Sequence, residues 1–114
     1  MTKRSSPPVL PSAPTDLLAV AFGGCQVILA WTECGAGGLG FTIERADCNS
    51  PCSPFGGIGK VGPHVTAFRD GSVDPRMTYS YRVRAMNTSG GSSPSNVVEV
   101  TTSKAETELP ADKG

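Results

Sequence analysis

Residues 78–100, TYSYRVRAMNTSGGSSPSNVVEV, constrain the fold more than any other stretch. Tyr79, Tyr81, Val83 and Ala85 fall on one face of an extended chain, and Ser80, Arg82 and Arg84 on the other. Period two with one apolar face is the pattern of a half-buried β-strand. A Gly/Ser/Pro/Asn loop and a second β-rich run follow. The same reading yields seven strands, over residues 17–22, 26–32, 41–46, 58–61, 65–69, 78–87 and 96–102. Val27, Leu29 and Trp31 are in phase in the second, Phe41 and Ile43 in the third, and Phe68 points inward in the fifth. Turn signals separate them: Gly23-Gly24, residues 35–40 and 49–54, Gly62-Pro63, Asp70-Gly71, Asp74-Pro75 and residues 89–94. No helical period occurs, and 14 glycines and 10 prolines suit short strands joined by turns. The expectation is an all-β, immunoglobulin-like Greek-key β-sandwich of seven strands.

A chain of 114 residues is one domain at most. Lys plus Arg balance Asp plus Glu at zero net charge, so nothing argues for nucleic acid or an anionic membrane as partner. No apolar run reaches the roughly 18 residues needed to span a bilayer, so no membrane insertion is expected. Residues 1–13, with Pro7, Pro8 and Pro11, read as an extended linker arm. Their short basic start has no apolar core behind it, so no signal peptide is expected in this chain. The domain proper spans residues 14–102, and residues 103–114 read as a polar tail.

The order of motifs resembles a fibronectin type III domain of the bacterial kind, over roughly 90 residues. Pro14-Thr15-Asp16-Leu17 resembles the family's opening, and Val27-Ile28-Leu29-Ala30-Trp31 its second strand with the core tryptophan. Gly40-Phe41-Thr42-Ile43-Glu44-Arg45 resembles the third strand of bacterial members. Val73 stands before Tyr79 as the family's leucine stands before its corner tyrosine. Tyr79 to Ala85 with Asn87 resembles the sixth strand, and Ser93-Pro94-Ser95-Asn96 the opening of the seventh. The resemblance implies a structural core of Trp31, Tyr79, Tyr81 and Val83. Tyr79 should turn its hydroxyl onto a backbone group of the preceding turn. Two features depart from the family: four cysteines, and a lengthened segment at residues 47–57 with the string CNSPCSP. There is no RGD string, so integrin binding is not implied.

The implied topology sorts the cysteines. Cys25, Cys48 and Cys52 lie toward one end of the sandwich, and Cys34 toward the other with His64. Nine residues of mostly extended chain, about 30 Å, separate Cys25 from Cys34, against the roughly 7 Å between Cα atoms that a disulfide tolerates. The favoured disulfide is Cys48–Cys52, and a disulfide implies an oxidising compartment. Cys25 is in phase with Val27 and reads as a small buried hydrophobe, or as a partner for Cys48 or Cys52. Cys34 is then unpaired or joined to another copy. Cys48-x-x-x-Cys52 with Cys25 resembles part of a zinc site, but a fourth ligand is missing, so no metal or other cofactor is expected.

No catalytic constellation is expected either. A single histidine, His64, would have to meet a nucleophile and an acid, and Cys34 is the sole cysteine at its end. Glu33 reads as a loop-edge residue. Glu44, Arg45, Arg82 and Arg84 read as a mixed-charge outer face. Gly-rich strings at 35–40 and 56–57 lack the strand–loop–helix setting of phosphate binding. Asn87-Thr88-Ser89 is a glycosylation sequon that matters in a glycosylating host alone. The sequence therefore points to a non-enzymatic module, a spacer or protein-interaction domain of a larger secreted or cell-surface protein. The alternative is a structural or decoration subunit of an extracellular filament, pilus or virion. Protein, as self or neighbouring domains, is the favoured partner, and carbohydrate the second class. The interaction loops would be those carrying Cys34, His64, Asn87, Ser92 and Pro94.

Overall fold

In the computed structural model, residues 9–35, 38–49 and 51–104 are described. Most of the arm and nearly all of the tail lie outside these residues. Among the described residues eight strands run in chain order: β1 (Thr15–Phe22), β2 (Gln26–Thr32), β3 (Gly40–Asp47), β4 (Gly56–Val61), β5 (Ala67–Asp70), β6 (Thr78–Asn87), β7 (Gly90–Gly91) and β8 (Val98–Thr101). One sheet has the order β1-β2-β5. The other has β4-β3-β6, with β7 and β8 both paired to β6. Every pairing is antiparallel. The fold is the expected sandwich, with eight strands in place of seven.

The additional strand arises where the last run breaks. Met86 and Asn87 pair with β7, and Thr78 to Tyr81 pair with β8 at the far end of β6. Between them the chain bulges through Ser92, Pro94 and Ser95, and a proline cannot donate to a ladder. Serine hydroxyls fill the gap: Ser92 Oγ accepts from Ala85 N at 2.9 Å, and Ser95 Oγ from Val83 N at 3.0 Å. Ser92 is thereby 2 % exposed. Its assignment to an interaction loop is corrected: the hydroxyl belongs to the sheet, not to the surface.

Alternation builds the core. Leu17, Val27, Leu29 and Trp31 from one sheet meet Phe41, Ile43, Tyr79, Tyr81, Val83 and Ala85 from the other, with Val73 beside them. Trp31 packs edge-to-face on Phe41, ring centres 5.5 Å apart. Tyr79 makes the corner, accepting a hydrogen bond from Asp74 N at 2.8 Å. Gly40 enters β3 at φ 128°, and a Cβ there would collide with the carbonyl of Val61, so only glycine fits. Phe68 is partly buried against the core from β5.

A polar clasp ties the sheets together. Asp70, at the end of β5, is 3 % exposed. Its carboxylate accepts from Tyr81 Oη at 2.7 Å and Arg45 Nη1 at 3.0 Å, across the sandwich. Ser72 N and Oγ donate to its other oxygen, at 2.9 and 2.6 Å. The Arg45 guanidinium lies 4.8 Å over the Tyr79 ring. Burial alone would raise the Asp70 pKa, but the Ser72, Tyr81 and Arg45 donors outweigh it and hold the carboxyl below the ordinary aspartate value. Burial, and then the Asp70 carboxylate, push the Tyr81 phenol well above its usual range. Arg45 is a correction to the mixed-charge outer face. It pairs with Tyr81 in register and shares the inward phase of Phe41 and Ile43.

Candidate interaction surface

The chain's loops gather at two ends. At one, Thr78 N donates to Asn49 Oδ1 and Cys48 N to Thr78 O, at 3.0 and 2.8 Å. Ser103 N donates to Gly23 O at 3.2 Å there as well. Cys48 and Cys52 form a disulfide at this end, joining two residues that also share a β-bridge. Cys48 Sγ lies 3.4 Å from Ser80 Oγ. Cys25 is exposed, which corrects its reading as a buried hydrophobe. It sits in the turn before β2, and the alternation of β2 does not extend into a turn.

The opposite end brings Cys34 and His64 together. They line a small cavity with Pro11, Glu33, Phe41 and Met86. His64 Nδ1 sits 3.0 Å from Glu33 Oε1, with the histidine 71 % exposed. His64 also adopts φ 65°, closing the turn in which Val65 N donates to Gly62 O. That turn delays β5 to Ala67, two residues past the expected start. Cys34 is half-buried, with Sγ 3.5 Å from Thr15 Oγ1. Asn87 is spent locally: Oδ1 accepts from Ser89 N and Gly90 N at 2.8 and 3.2 Å, and Nδ2 donates to Val9 O at 3.0 Å. Pro94 is half-buried and remains near the surface.

A second cavity of about 140 Å³ adjoins the first, lined by Leu39, Phe41, Thr42, Lys60, Val61 and Met86. That is the size of a single apolar side chain or a benzene ring, well short of the roughly 300–1,000 Å³ of small-molecule sites. The hydroxyl of Thr42 is buried there without a hydrogen-bond partner. Sequence reading did not find this cavity, because Leu39 reads as a residue of a glycine-rich turn.

The outer face of the larger sheet carries Glu44, which accepts from Arg82 Nε at 2.6 Å and Arg84 Nε at 3.2 Å. Burial raises the Glu44 pKa, and the two arginines more than reverse it, so the carboxyl sits below its usual range. The Arg82 guanidinium covers Phe55 at 4.1 Å. The one carboxylate is shared by two guanidinium groups, so this part of the face keeps a net positive charge. Among the described residues no group of three or more His, Cys, Asp or Glu side chains is placed to hold a metal ion. Among the same residues no helix is long and apolar enough to cross a membrane.

No family model matches the chain, and no curated protein matches it. Solved structures do. The FN5 domain of Drosophila Lar is 18 % identical with a TM-score of 0.70, over 84 % of this chain and all of that domain. An FN3 domain of human collagen XX is 19 % identical with a TM-score of 0.68, over 86 % of this chain and all of that one. A chicken CNTN1 fragment, FN1-FN3, is 20 % identical with a TM-score of 0.73. The match covers 83 % of this chain and 33 % of the fragment, so the chain spans about a third of its length. At such identities the likeness establishes architecture, and the chain has the fibronectin type III fold.

Proposed function

We propose that this sandwich is a non-catalytic spacer or protein-interaction module of a larger secreted or surface protein. The observation that carries the reading is where the chain enters and leaves. Val9 is held by Asn87 at the Cys34/His64 end, while Ser103 is held by Gly23 and Arg76 at the disulfide end. Entry and exit at opposite ends let domains follow one another in a line, each adding about 30 Å for a strand of this length. The Cys48–Cys52 disulfide supports an oxidising compartment. The strongest polar cluster, around Asp70, is buried and committed to holding the sheets, which supports a non-enzymatic role. The Glu44-Arg45 pattern of β3 supports a bacterial-type member.

A tandem fusion of two copies tests the spacer reading by small-angle X-ray scattering. An extended particle of about twice the single-domain length is expected, and a compact pair folded side by side would overturn it.

A further inference from the structure

Register sets Lys60, Thr42 and Arg84 side by side across β4, β3 and β6, on the outer face of the larger sheet. The next row toward the Cys34/His64 end places Gly40 opposite Met86. Gly40 contributes no side chain to that row, and the space between Met86, Leu39 and Lys60 is the cavity of about 140 Å³. Its rim is open to solvent, with Leu39 59 % exposed. The Thr42 hydroxyl is buried against it with no hydrogen-bond partner among the described residues. Buried polar groups are nearly always paired, so an unpaired one beside an open apolar cavity points to a partner from outside. Positive charge flanks the cavity. Lys60 is exposed, and no described carboxylate pairs with it. Arg82 and Arg84 share the one carboxylate of Glu44. Glu99 stands on the same face but farther from the cavity, opposite Ser80. On the other side Glu33 is engaged by His64.

Such a corner suits an acidic segment that carries one apolar side chain. The chain contains such a segment. Residues 105–112, AETELPAD, hold Glu106, Glu108 and Asp112, no cation, and a single large apolar side chain, Leu109, directly after Glu108. The volume suits Leu109, since an engineered cavity lined by aliphatic and aromatic side chains, of the size a leucine truncation leaves, measures about 150 Å³. Reach excludes the chain's own tail. Thr102 N donates to Met77 O, which sets the start of the tail level with Met77. Met86 lies nine residues farther along the sequence, about 30 Å away in extended chain. The seven residues from Thr102 to Leu109 span at most about 25 Å. Leu109 therefore falls short of its own cavity and can fill only that of another copy.

We propose that residues 105–110 of one copy dock on this corner of a second copy, with Leu109 in the cavity and Glu106 and Glu108 toward Lys60, Arg82 and Arg84. The Thr42 hydroxyl donates to an oxygen of the incoming segment. Ser103 is held at the disulfide end, and the cavity adjoins the Cys34/His64 end. The contact is therefore head to tail, and each copy keeps a site for the next. It is a small contact, one apolar side chain with a few partly exposed ion pairs, so its Kd falls at about 0.1–1 mM and rises with salt. The proposal stands apart from the spacer reading, which rests on where the chain enters and leaves and would survive its failure.

A capped peptide of residues 104–112, KAETELPAD, titrated into the isotope-labelled full chain tests the site by NMR. Amide shifts should gather at Leu39, Thr42, Lys60, Arg84 and Met86 and saturate with a Kd below about 1 mM. The same peptide with Leu109→Ala should bind at least about tenfold more weakly. Thr42→Val in the full chain keeps the shape, removes the hydroxyl and should weaken binding roughly fivefold. Sedimentation velocity of the full chain should show a weight-average size that rises with concentration. Leu109→Ala lies outside residues 14–102, so it leaves the sandwich folded, and it should abolish the rise. Lys60→Glu should abolish it too, and adding Glu108→Lys should restore part of it. No shift at about 2 mM peptide, shifts on another face, or equal binding by the Leu109→Ala peptide or by a scrambled peptide of the same composition overturns the site. Shifts at the cavity with a size independent of concentration up to about 1 mM overturn a second copy as its occupant.

Discussion

Asp70→Ala should be among the most damaging polar-to-alanine substitutions in this protein. The carboxylate is 3 % exposed, and four donors from Tyr81, Arg45 and Ser72 converge on it. Removing it strands the phenol of Tyr81, a residue with no exposed surface. An unpaired buried hydroxyl costs about 1–3 kcal/mol. It also removes the acceptor of Arg45, and breaking a buried pair from one side costs roughly 3–5 kcal/mol. Arg45 retains Asp47 at 3.0 Å and is 16 % exposed, so its head can turn toward water. The total therefore falls at the lower end, about 3 kcal/mol, and these terms overlap rather than add. Urea unfolding with an unchanged m-value should show it, alongside a fall in Tm of roughly 10–20 °C for a domain of this size. Asp47→Ala is the matched control: the same guanidinium loses a carboxylate that is 52 % exposed, at a cost below about 1 kcal/mol. Asp70→Ala with Tyr81→Phe should cost less than the sum of the two alone. An Asp70→Ala protein within about 0.5 kcal/mol of the parent, or strict additivity with Tyr81→Phe, would refute the clasp.

The same cluster sets the pH dependence. Asp70 is held below the ordinary 3.8, so its stabilisation is complete above that value and is lost as pH falls toward its folded pKa; Asp70→Asn should blunt the acid side of a urea-midpoint profile. Tyr81 is raised from 10.0, so stability should hold below pH 10 and decline above it as the unfolded phenol ionises first; Tyr81→Phe should flatten that decline. Tyr79→Phe removes the acceptor of Asp74 N and should cost about 1–3 kcal/mol in the same assay. Peptide mapping without reductant should recover Cys48 and Cys52 joined, and replacing both by serine should cost about 2 kcal/mol for so short a loop. Recovery of both cysteines alkylated without reductant would overturn the disulfide.

Much of the architecture was legible because a strand's side chains repeat every two residues. The expected limits of residues 26–32 and 78–87 coincide with β2 and β6, whose alternation is broken at Ser80 alone, buried beside Cys48. Boundaries slipped where a turn or a bulge intervenes, at His64 before β5 and at Pro94 before β8. Arg45 was legible in principle, since it shares the phase of Phe41 and Ile43; charge suggested the outer face, and phase was the better guide. Asp70-Gly71 looked like turn chemistry, and nothing local distinguishes a solvated turn aspartate from one that receives a tyrosine from the opposite sheet.

By itself the sequence determined which face of each strand is apolar, where the turns fall, and that the two layers close over Trp31 and Tyr81. Local stereochemistry and hydrophobic periodicity settle those matters within a few residues of chain. The tertiary structure alone decided that Asp70 meets Tyr81 and Arg45, that Ser92 is buried, and that Cys34 lies beside His64. It also decided that Asn96 and Ser103 hold the last strand along β1, at Leu17 and Gly23. Each joins residues distant in the chain, and such contacts exist only after strands from separate turns have been set side by side. The alternation in β6 specifies that Tyr81 points inward; the packing of the second sheet specifies what it touches.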